Sequence, residues 1–410
     1  MKNHPSEHID PVRSKERHII LDALRGLALF GICLANFPEF SLYTFLKSDA
    51  VSAMPTAGID RIIKYIQYIL TDGKFYTMFS LLFGIGFSII ISNAMRKHAD
   101  GFRIFYRRMG ILLVIGFLHL MSLWSGDILM LYALLGLLLP LFRNVSNKGL
   151  LLASAFLLLV PIAADAARAV SGMDPSAPVV RMQQYFCAKY GITEDNFAFW
   201  LRDAASYTDV FKFLVQGVFV RMQEFIDGNR FFKVMGLFLL GFYIGRNRLY
   251  ANLEGNKKLL KKVSMYGFAI GLPVSVFYAW SSMNGHPWGM TAHSALYAFG
   301  VFPVGLAYMA SVSLWYLHRR ECRIFKILAA PGQMALTNYI GQSVLGMIIF
   351  YGIGFGFGAD TGLVAVMLVA AGVYLVEAAF SRIWLHYCLF GPLEWIWRML
   401  TYGKWLPLFK

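Results

Sequence analysis

HIILDALRGLALFGICLAN, residues 18–36, decides the fold. Its apolar run continues to residue 37 and is broken only by Asp22 and Arg25. As a helix it would be about 30 Å long, the thickness of a hydrocarbon core. Stretches of similar character recur near 75–94, 109–125, 127–142, 149–170, 231–247, 263–283, 293–317, 327–350 and 363–385. The expectation is an all-α polytopic membrane helix bundle of about ten transmembrane helices. Composition agrees: 58% of the 410 residues are hydrophobic and 15% charged, and the mean hydropathy is +0.55. One soluble core could not hide that much apolar surface.

The formal charge of +15 would suit a nucleic-acid partner, but its distribution gives another reason for it. Arg96, Lys97, Arg103, Arg107 and Arg108 follow the second stretch, and Arg143 and Lys148 the fourth. Arg246, Arg248, Lys257, Lys258, Lys261 and Lys262 follow the sixth, and Arg319, Arg320, Arg323 and Lys326 the eighth. The segments 284–292 and 351–362 carry no Lys or Arg. By the positive-inside rule the basic segments are cytoplasmic, so both the N and C termini are expected in the cytoplasm and no nucleic acid is expected. Asp22 and Arg25 lie in the first turns of the first stretch and no small-residue cleavage site follows, so a retained helix is expected rather than a signal peptide.

The domain organisation expected is a polar cytoplasmic N-terminus over 1–17, one transmembrane domain over 18–403 and a cytoplasmic tail over 404–410. No polar or Gly/Ser-rich linker divides the middle. RIIKYIQYILTD (61–72) has apolar residues at helical spacing and is expected along the outer interface. Residues 171–230 form the large extracytoplasmic element, expected as a lid-like insertion of two or three short helices. Cys33, Cys187, Cys322 and Cys388 stand alone without CxxC spacing, so neither disulfide framework nor metal site is expected.

Ionisable residues inside spans mark candidate sites. Asp22 and Arg25 share a helix face; they form either a structural ion pair or part of a substrate path, to which Asn36 would belong as a ligand or as a packing hydrogen bond. In the hairpin GFLHLMSLWSGDILMLYALLG (116–136) the short turn places His119 and Asp127 toward the outer face. Imidazole beside carboxylate is a general-base arrangement, although a satisfied histidine and a capping aspartate would look the same. PGQMALTNYIGQS (331–343) sets Asn338 and Gln342 on one face, and Glu377 lies near mid-membrane with Ser381 on its face. These residues supply either interhelical hydrogen bonds or a polar wall of the path. LFGIGFS (82–88) and YGIGFGFG (351–358) lack the strand and helix start of a phosphate loop and fit close helix packing. Arg103, Arg107 and Arg108, beyond their topological role, could hold the phosphates of a donor such as coenzyme A.

LDALRGLALFGICLAN (21–36), KFYTMFSLLFGIGF (74–87), the hairpin, APGQMALTNYIGQS (330–343) and FGPLEWIWRMLTYG (390–403) together resemble the YeiB-like family of bacterial integral membrane proteins, a domain of unknown function. The resemblance implies a multi-pass protein of the bacterial cytoplasmic (inner) membrane. The opening LDxLRGxAL on a helix ending in Asn also resembles heparan-alpha-glucosaminide N-acetyltransferase and related transmembrane acyltransferases, which implies transfer from cytosolic acetyl-CoA to an acceptor across the membrane. Those enzymes use a histidine just after the first helix, and residues 38–60 contain none. His119 would stand in, oriented by Asp127.

The function expected is therefore a transmembrane acyltransferase using acetyl-CoA or another acyl-CoA as donor, its phosphates on Arg103, Arg107 and Arg108, with no metal. Asp22, Arg25, Asn36, Asn338, Gln342 and Glu377 would line the substrate path. The partners expected are the lipid bilayer and a small-molecule or glycan acceptor, and the reading allows a homodimer. The alternative is a secondary transporter or exporter of a small solute.

Overall fold

The computed structural model describes residues 18–96 and 101–410. The polar N-terminus 1–17 and Lys97 of the basic loop lie outside the described residues. The helices are α1 (Ile19–Phe40), α2 (Ser48–Ala53), α3 (Ala57–Leu70), α4 (Lys74–Arg96), α5 (Gly101–Ser122), α6 (Leu129–Gly136), α7 (Asn147–Ser171), α8 (Ala177–Tyr190), α9 (Tyr207–Asp227), α10 (Arg230–Arg246), α11 (Lys257–Met283), α12 (Gly289–His318), α13 (Arg323–Gln333), α14 (Ala335–Phe350), α15 (Leu363–Tyr387) and α16 (Pro392–Tyr402). Among the described residues there is no strand, and an isolated bridge pairs Cys388 with Phe409.

Seven helical segments among the described residues are long and apolar enough to cross a membrane: α1, α3 with α4, α5, α7, α11, α12 and α15. Three stretches expected as full spans form shorter elements. Residues 127–142 give α6 and then a 3₁₀ turn, Leu139–Phe142, that carries Pro140. Residues 231–247 give the 17-residue α10. Residues 327–350 break at Met334 (φ −111°, ψ 34°), after Pro331 in the last turn of α13, and restart as α14. The restart is capped from a distance: the Leu336 and Thr337 N–H groups donate to Glu394 Oε1 at 2.7 and 3.1 Å.

The burial pattern departs from that of a soluble protein in its exposed apolar faces and enclosed charges. Leu152 and Phe156 on α7 and Leu368, Leu375, Val376 and Ile383 on α15 face outward. Asp165, Lys74, Arg221, Asn338 and Glu377 are enclosed. Lipid accommodates the first set, and internal partners are needed for the second. α3 has the amphipathic face expected for 61–72: Ile59, Ile62, Ile66 and Leu70 are exposed. On its other side, buried Asp60 accepts from Val364 N–H at 3.0 Å and so caps α15.

A close backbone approach joins α1 to α13. A Cβ at Gly26 would stand 1.9 Å from Leu328 O, and one at Gly332 would stand 1.9 Å from Asp22 O. Only glycine admits such contact. Gly332→Ala should therefore cost about 1–3 kcal/mol through overpacking. Gly372→Ala on α15, where an added Cβ meets nothing within 4 Å, should be neutral or stabilising by up to about 1 kcal/mol. Thermal unfolding in detergent checks both.

Candidate functional site

α1 and α4 run antiparallel, with Phe75 beside Gly31 and Leu82 packed in one cluster with Leu21 and Leu24. Between these helices and their neighbours lies a hollow of about 1100 Å³, at the upper limit of ligand pockets, which run roughly 300–1,000 Å³. Along α1 its wall runs from Leu21 to Glu39, and along α4 from Phe75 to Asn93. That is about 27 Å of helix. The end where α1 begins is called the near end, and the end where it finishes the far end.

The near end is cationic. Arg25, Arg108, Arg248 and Arg398 line it together with His18, Asp22 and Glu394. Asp22 holds Arg25 at 2.7 Å; the Asp22 side chain is 7% exposed and that of Arg25 28%. The buried carboxylate thus holds the guanidinium toward the opening. Arg108 lies over the Trp397 ring, 3.7 Å from its centroid, a stacking that suits a delocalised planar cation. Burial raises the Glu394 carboxyl above its ordinary range, against the hydrogen bonds from Thr337 and Leu336 that favour its charged form.

The middle of the hollow is apolar and aromatic, lined by Phe79, Phe83, Phe87, Met109, Leu112, Tyr132 and Leu336. Beyond it the far end is densely charged: Glu39, Asp72, Arg221, Glu224, Asp227, Arg230, Lys233 and His293 all line it. Glu224 Oε2 takes Arg221 at 2.5 Å and Arg230 at 3.3 Å. Burial opposes ionisation of Glu224, but the two guanidinium groups outweigh it and hold the carboxyl below its ordinary range. Tyr278 donates to Asp72 at 2.6 Å and stacks on the His293 ring at 4.9 Å. Lys233 Nζ sits 3.9 Å from the centre of the Tyr297 ring.

Of the residues singled out in the sequence, Asp22, Arg25, Asn36 and Arg108 line this hollow, and Arg103 and Arg107 do not. His119 and Asp127 are brought together off its wall. His119 Nδ1 is 2.9 Å from Asp127 Oδ1 and its Nε2 is 2.8 Å from Ser343 Oγ. All three are buried. Asp127 Oδ2 also accepts from Met130 N–H at 2.8 Å, capping α6. The His119 ring packs behind Tyr339, centroid to centroid 5.3 Å, and Tyr339 itself faces the hollow. Asn338, Gln342 and Glu377 lie between α14 and α15, also off the wall. Asn338 donates to Ser381 at 2.9 Å and Gln342 to Glu377 Oε2 at 2.9 Å.

Sequence reading passed over Glu39, Arg221, Glu224, Arg230, Lys233 and His293. A signal for Lys233 was present, since a lysine inside the apolar run 231–247 is an intramembrane ionisable residue. The α9 residues offered none, because 171–230 was read as a lid rather than as wall. That segment folds into α8 and α9, and Arg221, Glu224 and Asp227 of α9 form part of the hollow.

Comparison with known proteins gives matches over nearly the whole chain. It is 30% identical to the uncharacterized protein YxaH of Bacillus subtilis strain 168, covering 98% of each. It is 29% identical to an uncharacterized 39.9 kDa protein from the amylase 3' region of Bacillus acidopullulyticus, again covering 98% of each. To the uncharacterized protein YeiB of Escherichia coli K12 it is 25% identical over 94% of this chain and 96% of that one. The family described as a protein of unknown function (DUF418) matches residues 244–404, the part that carries Arg248, the α13–α14 break, Glu394 and Arg398. No solved structure matches.

The His119 cluster makes a stability prediction. His119→Ala strips Asp127 Oδ1 and Ser343 Oγ of a partner, and each buried group so left should cost about 1–3 kcal/mol. Thermal unfolding of the detergent-solubilised variant should show this drop.

Proposed function

The chain belongs to the YeiB-like DUF418 family, and from that premise and the form of the hollow we propose that it is a transmembrane acyltransferase. In this reading it moves an acyl group, acetyl in the simplest case, from a cytosolic acyl-CoA to a hydroxyl or amine of an extracytoplasmic acceptor such as a cell-envelope glycan. The short helices α6, α10 and α14 complete ten membrane elements. The near end, beside the basic loops, faces the cytoplasm of a bacterial inner membrane, with both termini on that side.

One observation carries the reading: a single hollow joins a cluster of arginines at one end, through an apolar waist, to a polar chamber at the other. Such a profile matches an amphiphilic donor. Its phosphates meet Arg25, Arg108, Arg248 and Arg398, taking the role first assigned to Arg103 and Arg107. Its pantetheine arm lies in the waist, and the thioester carbonyl reaches Asn36. Glu39, three residues further along α1 and so on the same face, takes the proton from the acceptor hydroxyl or amine. The acceptor oxygen or nitrogen bonds to the acyl carbon, the C–S bond breaks, and the proton passes to the departing CoA sulfur. His119 and Asp127 hold the start of α6 against α14 and so position Tyr339 in the wall.

The α13–α14 break favours the transporter alternative, since broken helices build substrate sites in many transporters. Here Glu394 already fills the start of α14, so an anionic solute would have to displace it.

The test is thermal stabilisation of the purified chain by acetyl-CoA and longer acyl-CoAs, with free CoA and ATP as comparisons. Arg248→Gln should weaken the acyl-CoA shift about tenfold in concentration. Glu39→Gln should keep the shift and lose thioester turnover. No shift at millimolar acyl-CoA, with proton-coupled solute uptake in vesicles, would replace this reading by the transporter.

A further inference from the structure

The far chamber holds a set of donors without acceptors. Lys233 is 9% exposed and faces the hollow. Its ammonium carries three N–H groups, and among the described residues it sits against the Tyr297 ring rather than an acceptor oxygen. Tyr76 lines the same space, and its hydroxyl is buried with no hydrogen-bond partner among the described residues. Arg230 meets Glu224 through one nitrogen, which leaves further N–H groups on that guanidinium. Lys233 follows Arg230 by three residues, on the same face of the first turn of α10. That helix start has no side-chain cap, because the Asn229 side chain is spent on Asp165 at 2.9 Å.

Each carboxylate of the chamber already has a partner. Glu224 is taken by Arg221 and Arg230, Asp72 by Tyr278 and Asp227 by Ser176 and Arg168. Asp165 is taken by Ser294 and Asn229, and Glu39 by Trp124. Lys233, Tyr76 and Arg230 still offer N–H and O–H donors, so a ligand that completes them brings oxygen acceptors. With three donors from Lys233, one from Tyr76, those left on Arg230 and the open first turn of α10, the sites outnumber the roughly four acceptor positions of a carboxylate. A helix start flanked by Lys and Arg is the setting in which phosphate binds.

We propose that the far chamber is a phosphate site, built from Lys233, Arg230, Tyr76 and the first turn of α10, for a phosphate ester. It rests on the acyltransferase reading only in making that ester the acceptor; the binding itself stands without a donor. The phosphate belongs either to a water-soluble ester or to a lipid headgroup.

The experiment uses the full chain in maltoside micelles, titrated with inorganic phosphate, with glycerol phosphate and with phosphatidylglycerol against a neutral glycolipid. The readouts are thermal shift and calorimetry. Wild type should be stabilised by a phosphate ligand and not by the glycolipid. Glycerol phosphate as the active ligand identifies a soluble ester, and phosphatidylglycerol a lipid headgroup. Lys233→Met should leave the ligand-free unfolding temperature unchanged or raised, since it removes a charge with no acceptor, while binding weakens ten- to a hundredfold. Tyr76→Phe should likewise leave ligand-free stability intact and weaken binding severalfold. The site is wrong if no phosphate ligand shifts the wild type, or if both variants bind as the wild type does. Acyl-CoA is absent from every arm, so failure of the donor reading and failure of this site are separate results.

Discussion

Hydrocarbon offers a buried polar group no water, so each one must find its partner inside the protein. In this chain that constraint falls most visibly on carboxylates, which are used to start helices. Asp60 caps α15, Asp127 caps α6 and Glu394 caps α14. The Asp60 and Glu394 caps reach across long sequence separations, so each ties a distant segment to the helix it begins. A carboxylate at a helix N-terminus also meets the positive end of the helix dipole, which offsets part of the cost of enclosing its charge. Where the constraint is met, the bundle is closed and packed. It is unmet around Lys233 and Tyr76, where the structure opens onto a hollow, and at Gln342 Oε1 and Glu377 Oε1, enclosed between α14 and α15.

The two ends of that hollow differ in how their charge is held. At the near end the cations are planar, stacked or leaned on by single carboxylates, as with Arg108 on Trp397 and Arg25 on Asp22. They remain open toward the loops that bear the other basic residues. At the far end opposite charges are interleaved on α1, α9 and α10 and at Asp72 just before α4, enclosed by aromatic rings. An arrangement of the first kind admits a ligand that carries many charges and varies in pose. One of the second kind discriminates, because each donor left over has a fixed direction.

The membrane character was legible in the sequence because it depends on local runs of apolar residues, and the seven long helical segments follow such runs. The pairing of Asp22 with Arg25 was legible too, since three residues of helix bring them together. The break at Met334 was not, because Pro331 and Gly332 could equally have sat inside a continuous span. The start of α14 depends on Glu394, which lies 58 residues from Leu336. Glu377 had no visible partner for the same reason: Gln342 is on another helix and becomes a neighbour only when α14 packs on α15. The far chamber was hidden most completely. Its charges come from three helices and the turn before α4, and α9 lacks the apolar continuity that marks a wall.

The contact of Gly26 with Gly332 settles how this bundle can move. Two helices whose backbones touch over a turn cannot slide without driving carbonyl oxygens into α-carbons, so α1 and α13 behave as one stiff lever. The interruption at Met334 is where that lever ends and α14 begins. Asp22 and Arg25 are thereby fixed to α13, while Tyr339 stands beyond the break on α14.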